Sequence, residues 1–508
     1  MNGVKHPLVA SALRLALLLL AALAAGCASH GPRDFVPEAR YLRGGDAVAE
    51  CARFIGGLDR AVWSAGVADV QEARIAGFPY ARINRFLAAP WRPGPEAAEF
   101  DAWARRLLQL DRIARGHEIA NLPAAVLAQL SNAVDAPRAL GARVTECGER
   151  LLQGDLSDPE VRAALHAAAM VPDAYRSLYR VAGIYPLTSI AFFNGVKRLQ
   201  SEIYEGFEVP LETLPVAGRL MRFVPPSRPQ LERAEVARIL RESARNPLEI
   251  PDPGAEDRAR LFARFAPIFE IDVAQDDDLI GRPGWDAGPI AQLDTASPVV
   301  YTRLSRVRFE SRTLAQLNYV IWFPSRPASG PFDILAGHID GITWRITLDT
   351  DGTPLLYDSM HNCGCYHLFL PTEKLRFDGY GPGFEEPLLM PQRLSAADGR
   401  LVVRIAHRTH YVQRAYFEEG AGDGVRYAIA EDETLRSLPS RGGGRRSLFG
   451  VNALVAGSER PERWLFWPMG VPSAGAMRQW GHHATAFVGR RHFDEPGLLT
   501  RYFSRAVP

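Results

Sequence analysis

The sequence predicts an α+β protein with a helical N-terminal domain followed by a β-rich, mainly antiparallel C-terminal domain. Three observations carry this. Apolar residues recur at helical spacing from Asp46 onward, Pro and Gly cluster near residues 225–254, and beyond residue 265 the apolar period falls to two.

The helices are read in chain order. Asp46 precedes Val48, Cys51, Ile55, Leu58 and Val62, a stripe on one helical face. Similar stripes run through Trp103, Leu107, Leu110 and Ala114, and through Leu140, Val144, Cys147 and Leu151. Ser157-Asp158-Pro159-Glu160 is a helix start, with Pro placed where its missing N–H costs nothing. Further helices are expected over 173–182 and 187–204, parted by Gly183 and Pro186, and then over 230–244 and 255–265. Asn246 to Gly254, with Pro247, Pro251 and Pro253, reads as a linker. Strands are expected at 299–309, 318–323, 341–348 and 401–412. Asp349-Thr350-Asp351-Gly352 is a turn signal that makes 338–348 and 353–365 a hairpin. The expected organisation is a leader over 1–26, a tether over 27–45, a helical domain over 46–222, a Pro-rich linker with one helix over 223–254, and the β-rich domain over 255–508.

Composition bounds the function. The 508 residues carry 59 Lys+Arg against 58 Asp+Glu, a net charge of +1 that gives no case for nucleic acid as a partner. Charged residues at 23% and hydrophobic ones at 47% fit a folded chain and exclude disorder as the rule. Lysine is confined to Lys5, Lys197 and Lys374. His338, His361, His367, His407, His410, His482, His483 and His492 all fall in the last third, which directs attention there.

At the N-terminus, Lys5 and His6 precede an unbroken apolar run from Leu15 to Ala25. That run is shorter than the ~20 residues a spanning helix needs, and it suits the core of a signal peptide. It ends Leu23-Ala24-Ala25-Gly26-Cys27, which resembles the lipobox of bacterial lipoproteins, with Ala24 standing where Leu is commonest. The resemblance covers the leader alone. It implies cleavage before Cys27, acylation of the Cys27 thiol, and a protein held to the membrane by lipid. Ala28 in place of Asp implies the periplasmic face of the outer membrane.

Cys51 and Cys147 lie on the apolar stripes of two helices, so in an oxidising envelope they are candidates for a disulfide, two free core thiols being the alternative. The sharpest local feature is His361-Asn362-Cys363-Gly364-Cys365-Tyr366-His367. On a straight strand its alternating ligand-type side chains would share a face about 6.6 Å apart, too far for all four to hold one ion. A bend at Gly364 would bring Cys363 and Cys365 together. Centring the turn between Thr350 and Asp351 puts Asp340 opposite His361 and His338 opposite Cys363. In the strand expected over 401–412, His407 points inward and His410 outward.

Four readings of this cluster stay open from sequence. The first is a metal site, zinc being the expected ion, built from a subset of His338, Asp340, His361, Cys363, Cys365, His367, His407 and His482, with His338, His361, Cys363, His367 and His407 foremost and Asp340 or Glu310 as general base for hydrolysis. The second is a redox pair formed by Cys363 and Cys365. The third is a thiolate nucleophile, Cys365 or Cys363, activated by His338 and oriented by Asp340. The fourth is a core filled by histidines and thiols, in an envelope scaffold whose helical half binds a protein partner. Asp276-Asp277-Asp278 lacks the spacing of a cation loop and reads as a solvated turn. Trp464 to Met469 reads as a core strand, the alternatives being the lining of an apolar cleft or a membrane-facing patch.

Overall fold

The computed structural model describes residues 38–506 except 44, 90–95, 133, 227–230, 287, 382, 396–398 and 421. Cys27 and the lipobox lie outside the described residues. The first half is built on α1 (Asp46–Ser64), α2 (Ala97–Asn121) and α3 (Ala136–Leu156). Their expected stripes form two clusters, one burying Ile55, Leu107, Leu108, Leu151 and Leu152, the other Leu58, Val62, Leu140 and Val144. Cys51 on α1 and Cys147 on α3 are joined in a disulfide, S–S 2.12 Å. Asp158 caps the next helix, Pro159–Ala168, accepting from the amides of Glu160 and Val161.

Two features depart from a purely helical first half. Ala73–Ile75 pairs antiparallel with Phe78–Ile83 across Gly77, which takes φ +82°. This hairpin buries Phe78, Tyr80 and Ile83 against α2 and α3. The expected linker is likewise a docked segment: Leu248 and Ile250 are buried in the helical core. The Asn246 side chain accepts from the amides of both and donates to the Ile250 carbonyl. That local network satisfies the backbone which three prolines leave without a ladder.

The last helix of this half, α4 (Tyr185–Glu208), leads into β1 (Arg219–Val224), which already belongs to the second half. The expected boundary at residue 222 therefore cuts a strand. Beyond it come α5 (Arg233–Ser243), α6 (Ala255–Phe265), β2 (Ile268–Val273), β3 (Val299–Phe309), β4 (Arg312–Arg326), β5 (Gly337–Leu348), β6 (Pro354–His361), β7 (Leu368–Pro371), β8 (Arg400–Ile405), β9 (Val412–Glu418), β10 (Val425–Arg426) and β11 (Ala428–Glu431). The larger sheet has the order β7-β6-β5-β4-β3-β11, antiparallel except for the β3–β11 pair. A second sheet has the order β9-β8-β2-β1-β10, with β8 parallel to β2 and β10 parallel to β1. The two share a core with α5 and α6, in which Ile321, Phe323 and Trp344 of the larger sheet meet Phe269, Ile271 and Val403 of the other. The fold is α+β, as read from the sequence.

Buried charge fixes the two halves together. Arg436, 1% exposed, reaches back to Asp69 (2.7 Å) and Glu72 (3.0 Å), beside the hairpin of the first half. Desolvating these groups offsets most of their attraction, so they specify how the halves dock more than they stabilise the contact.

Candidate functional site

The site lies where the β5–β6 hairpin ends under the loop joining β8 to β9. The hairpin forms as expected, but its register pairs His361 with Ile342 rather than Asp340. The turn closes through Gly352 at φ +84°, and the pairing shifts between Pro354 and Leu356. Together these move the register by two residues. A two-residue shift keeps every side chain on its face, so Asp340 and His361 still meet, His361 Nδ1 lying 3.6 Å from Asp340 Oδ1. Gly341 makes the approach possible, since a Cβ there would sit 2.3 Å from the Asn362 side-chain amide.

Asp340 is fully buried and is the hub of a charged knot. Its Oδ2 accepts from His410 Nδ1 at 2.7 Å and its Oδ1 from Arg460 Nη2 at 3.0 Å. Burial works against its charge, yet Arg460 and His361 hold its pKa well below the carboxylate range. His410 is fully buried too, stacked on Phe323 with centroids 3.9 Å apart, and its Nε2 lies 3.6 Å from Asp278 Oδ1. Burial lowers its pKa, but Asp278 and Asp340 outweigh that and raise it. Asp278, far from solvated, is 2% exposed and accepts from the amides of Ala274, Gln275 and Arg408. Against the cost of burial, His410 and these amides bring its pKa down to about 2.

His410 reverses the expected alternation. The strand ends at Ile405, and 406–411 is a turn with Arg408 (φ +58°) and His410 (φ +54°) in the left-handed region. The turn swings His410 inward and leaves the His407 side chain 40% exposed, 3.4 Å from Asp272. The other expected ligands also have separate partners. His338 Nε2 meets the Ala291 carbonyl at 2.8 Å. His367 Nε2 meets Asp358 at 2.9 Å, and burial, opposed by Asp358, brings its pKa down to about 4. His338, His361, Cys363, His367 and His407 are therefore not one site. Among the described residues no three His, Cys, Asp or Glu side chains are gathered to hold a metal ion. Glu310, the other expected base, sits in the β3–β4 turn and pairs with Arg505 at 3.1 Å.

The two thiols do come together. β6 ends at His361 and the chain folds back: the Gly364 amide donates to the His361 carbonyl (2.7 Å), and the His361 amide to the Cys365 carbonyl (3.0 Å). Gly364 takes φ +96°, and a Cβ there would lie 2.4 Å from the Ala484 carbonyl oxygen, so only glycine fits. The bend lets the Cys365 amide reach Cys363 Sγ at 3.4 Å. Both sulfurs are free thiols. The Cys365 thiol, hydrogen-bonded to its neighbour, lowers the pKa of Cys363, while the same contact and burial raise that of Cys365. The two sulfurs share their protons as a pair, and Cys365 is the less buried of the two.

Cys363 and Cys365 line a cavity of about 480 Å³ whose walls are mostly apolar, with Phe192, Leu199 and Ile203 of α4 on one side and Phe466 and Phe487 among the others. Glu462 lines it too. This carboxyl is 3% exposed, and burial pushes its pKa up to about 7 against the pull of Arg460, Arg326 and Arg478. Arg478 also clamps the thiol turn, its Nε donating to the Cys363 carbonyl at 3.1 Å. Asp340 does not border this cavity. It anchors the loops beneath rather than facing a ligand.

Sequence reading missed His410, Asp278, Arg460 and Glu462. The turn that aims His410 inward carries no Gly or Pro to announce it, and the other three reach the site only through long-range packing. The aromatic run also differs from the expected strand, because Arg463–Phe466 is a helical turn with Trp464 exposed and Phe466 at the cavity. No family model, curated protein or solved structure matches the chain.

Proposed function

We propose that this is a lipid-anchored cell-envelope protein whose Cys363–Cys365 pair carries out thiol–disulfide exchange on a substrate held in the apolar cavity. The observation that carries the reading is the juxtaposition of two free thiols, one more acidic than the other, with a buried Glu462 at the same cavity. The thiolate is the attacking form in such exchange, so the more acidic thiol of a pair is suited to attack. The Cys51–Cys147 disulfide supports an oxidising compartment, in keeping with the envelope address implied by the Cys27 lipobox. Zinc is not carried forward, because His338, His367 and His407 each meet a partner away from the thiols.

In the proposed step the Cys363 thiolate attacks one sulfur of a substrate disulfide. The substrate S–S bond breaks, a mixed disulfide forms, and the first substrate sulfur departs as a thiolate that takes its proton from water. Cys365 then gives its proton to Glu462 and attacks the Cys363 sulfur. The second substrate thiol leaves, Cys363 and Cys365 are bonded to each other, and two electrons have passed to the substrate. The reverse sequence would oxidise a substrate dithiol.

Trapping tests the reading. Reduced full-length protein is mixed with oxidised glutathione under native conditions and mapped by mass spectrometry. The wild type is expected to form the Cys363–Cys365 disulfide, and Cys365→Ser to accumulate a glutathione adduct on Cys363. Thiols that stay unmodified in the folded protein, while Cys51–Cys147 remains intact, would overturn it.

A further inference from the structure

The thiol cavity carries a second set of reactive groups that makes no use of the sulfurs. Asp358 on β6, His367 just before β7 and Thr485 in the loop after Trp480 are joined in series. His367 Nε2 lies 2.9 Å from Asp358 Oδ2, and His367 Nδ1 lies 3.3 Å from Thr485 Oγ1. Asp358 is wholly buried and does not border the cavity, whereas His367 and Thr485 both line it. The series therefore runs from a carboxylate in the core to a hydroxyl-bearing residue at the cavity wall.

The protons along it are fixed from the buried end. Arg345 Nε donates to both oxygens of Asp358, at 2.9 Å and 3.1 Å. Burial works against the charge of Asp358, but Arg345 and His367 hold its pKa below the ordinary carboxylate range. An ionised carboxylate only accepts, so in the neutral ring His367 Nε2 carries the hydrogen and Nδ1 keeps a bare lone pair. The Thr485 hydroxyl is then the donor to Nδ1. Burial brings the His367 pKa down to about 4, so the ring is neutral and ready to accept a proton over the ordinary pH range.

Packing holds each group in place. The imidazole stacks on Phe369 with ring centroids 4.0 Å apart, and Phe493 lies at 5.0 Å. The Thr485 amide donates to the Arg491 carbonyl at 2.8 Å, and Arg491 Nη2 donates to the Thr485 carbonyl at 3.3 Å. Arg491 is paired in turn with Glu386 at 3.1 Å, which accepts from the Phe487 amide, so both ends of this loop are tied down. A hydroxyl that donates to a neutral imidazole, itself oriented by a carboxylate, is an activated nucleophile.

We propose that Asp358, His367 and Thr485 form an acyl-transfer triad, in which Thr485 takes the acyl group of an aliphatic ester seated in the cavity. The acyl chain is aliphatic because Phe192, Leu199, Ile203 and Phe466 offer it apolar walls. Thr485 gives its hydroxyl proton to His367 Nδ1 as Oγ1 bonds to the ester carbonyl carbon. The bond from that carbon to the alcohol oxygen breaks, and His367 passes the proton to the departing alcohol. Water then gives a proton to His367 while its oxygen bonds to the acyl carbon. The acid leaves, and the proton returns to Thr485 Oγ1. Nothing in this sequence depends on the thiol chemistry.

Reaction of the full-length protein with p-nitrophenyl octanoate tests the assignment, read as released nitrophenolate and, after acid quenching, as the acylated residue mapped by mass spectrometry. The wild type is expected to carry the acyl group on Thr485 and to prefer octanoate over acetate by at least about tenfold in kcat/KM. Its rate should rise with pH through about 4, as His367 becomes neutral. Thr485→Val keeps the side-chain shape and removes the hydroxyl, so hydrolysis should fall by at least about a hundredfold, and Thr485→Ser should restore it. His407→Ala, at a half-exposed ring away from the cavity, should keep the wild-type rate. No hydrolysis above the buffer rate, an acyl group on Cys363 or Cys365 instead of Thr485, or a Thr485→Val variant as active as the wild type would overturn the proposal.

Discussion

Replacing Asp340 with Asn keeps the shape of the side chain and removes its charge. In the wild type the carboxylate binds His410 Nδ1 at 2.7 Å and Arg460 Nη2 at 3.0 Å, and lies 3.6 Å from His361 Nδ1, with every one of these side chains at most 4% exposed. Two charge-assisted bonds at about 1.5–3 kcal/mol each set the loss at roughly 3–6 kcal/mol. Removing one partner of a buried ion pair independently costs about 3–5 kcal/mol, so the two routes agree. The effect should concentrate in the 406–411 loop and the open end of the β5–β6 hairpin, which the knot ties together. Urea unfolding followed by tryptophan fluorescence gives the magnitude, and amide exchange gives the location. His407→Ala is the matched control: its half-exposed ring meets one carboxylate at 3.4 Å and should contribute less than about 1 kcal/mol. An Asp340→Asn variant within about 1 kcal/mol of wild type, or a His407→Ala variant that loses as much, would mean that the knot does not tie these loops.

Gly364→Ala should destabilise by about 2–4 kcal/mol and change thiol reactivity, because the added Cβ meets the Ala484 carbonyl at 2.4 Å and φ is +96°; calorimetry and thiol titration check it. Glu462→Gln should abolish a step near pH 7 in the rate of disulfide exchange, since it removes the cavity carboxyl whose pKa burial raises to about 7; a stopped-flow pH profile reads this. His410 has a folded pKa raised above its ordinary 6.5, so its contribution to stability is complete below pH 6.5 and is lost as pH rises through the folded value. Urea midpoints should therefore fall with rising pH in a Glu462→Gln background, and fall less steeply once Asp340→Asn is added. Cys51→Ser/Cys147→Ser should cost about 4–5 kcal/mol, from the closed loop of 96 residues, measured as a shift of the urea midpoint.

The features legible in the sequence are those that local pattern dictates. The stripes through Cys51 and Cys147 placed those sulfurs on the facing sides of two helices, and the period of two marked β3 over its full length. Asp340 and His361 were assigned a common face although the register was off by two, because only odd slips change faces. What could not be read depended on backbone conformation or distant packing. His410 and His407 exchanged sides because the chain leaves the strand at Ile405 through two non-glycine residues at positive φ, a geometry that no residue type signals. Asp278 looked solvated because three aspartates in a row suggest a surface, yet besides the local Ala274 and Gln275 amides it meets the Arg408 amide and His410, more than a hundred residues away. The Asn246 segment carried every mark of a linker, and its burial comes from Leu248 and Ile250 finding the helical core. Glu462 gave no sign at all, for its raised pKa belongs to the cavity and not to the residue.

Cys363 and Cys365 are proposed to form a redox couple. Equilibrating the full-length protein in glutathione buffers of graded ratio, then quenching with acid and mapping both sulfurs, tests it directly. One two-electron transition to an intramolecular Cys363–Cys365 disulfide is expected, at a potential above the roughly −300 mV that bounds structural disulfides. Thiols that remain reduced throughout, or that are held by stoichiometric zinc in protein purified without a histidine tag, would contradict it.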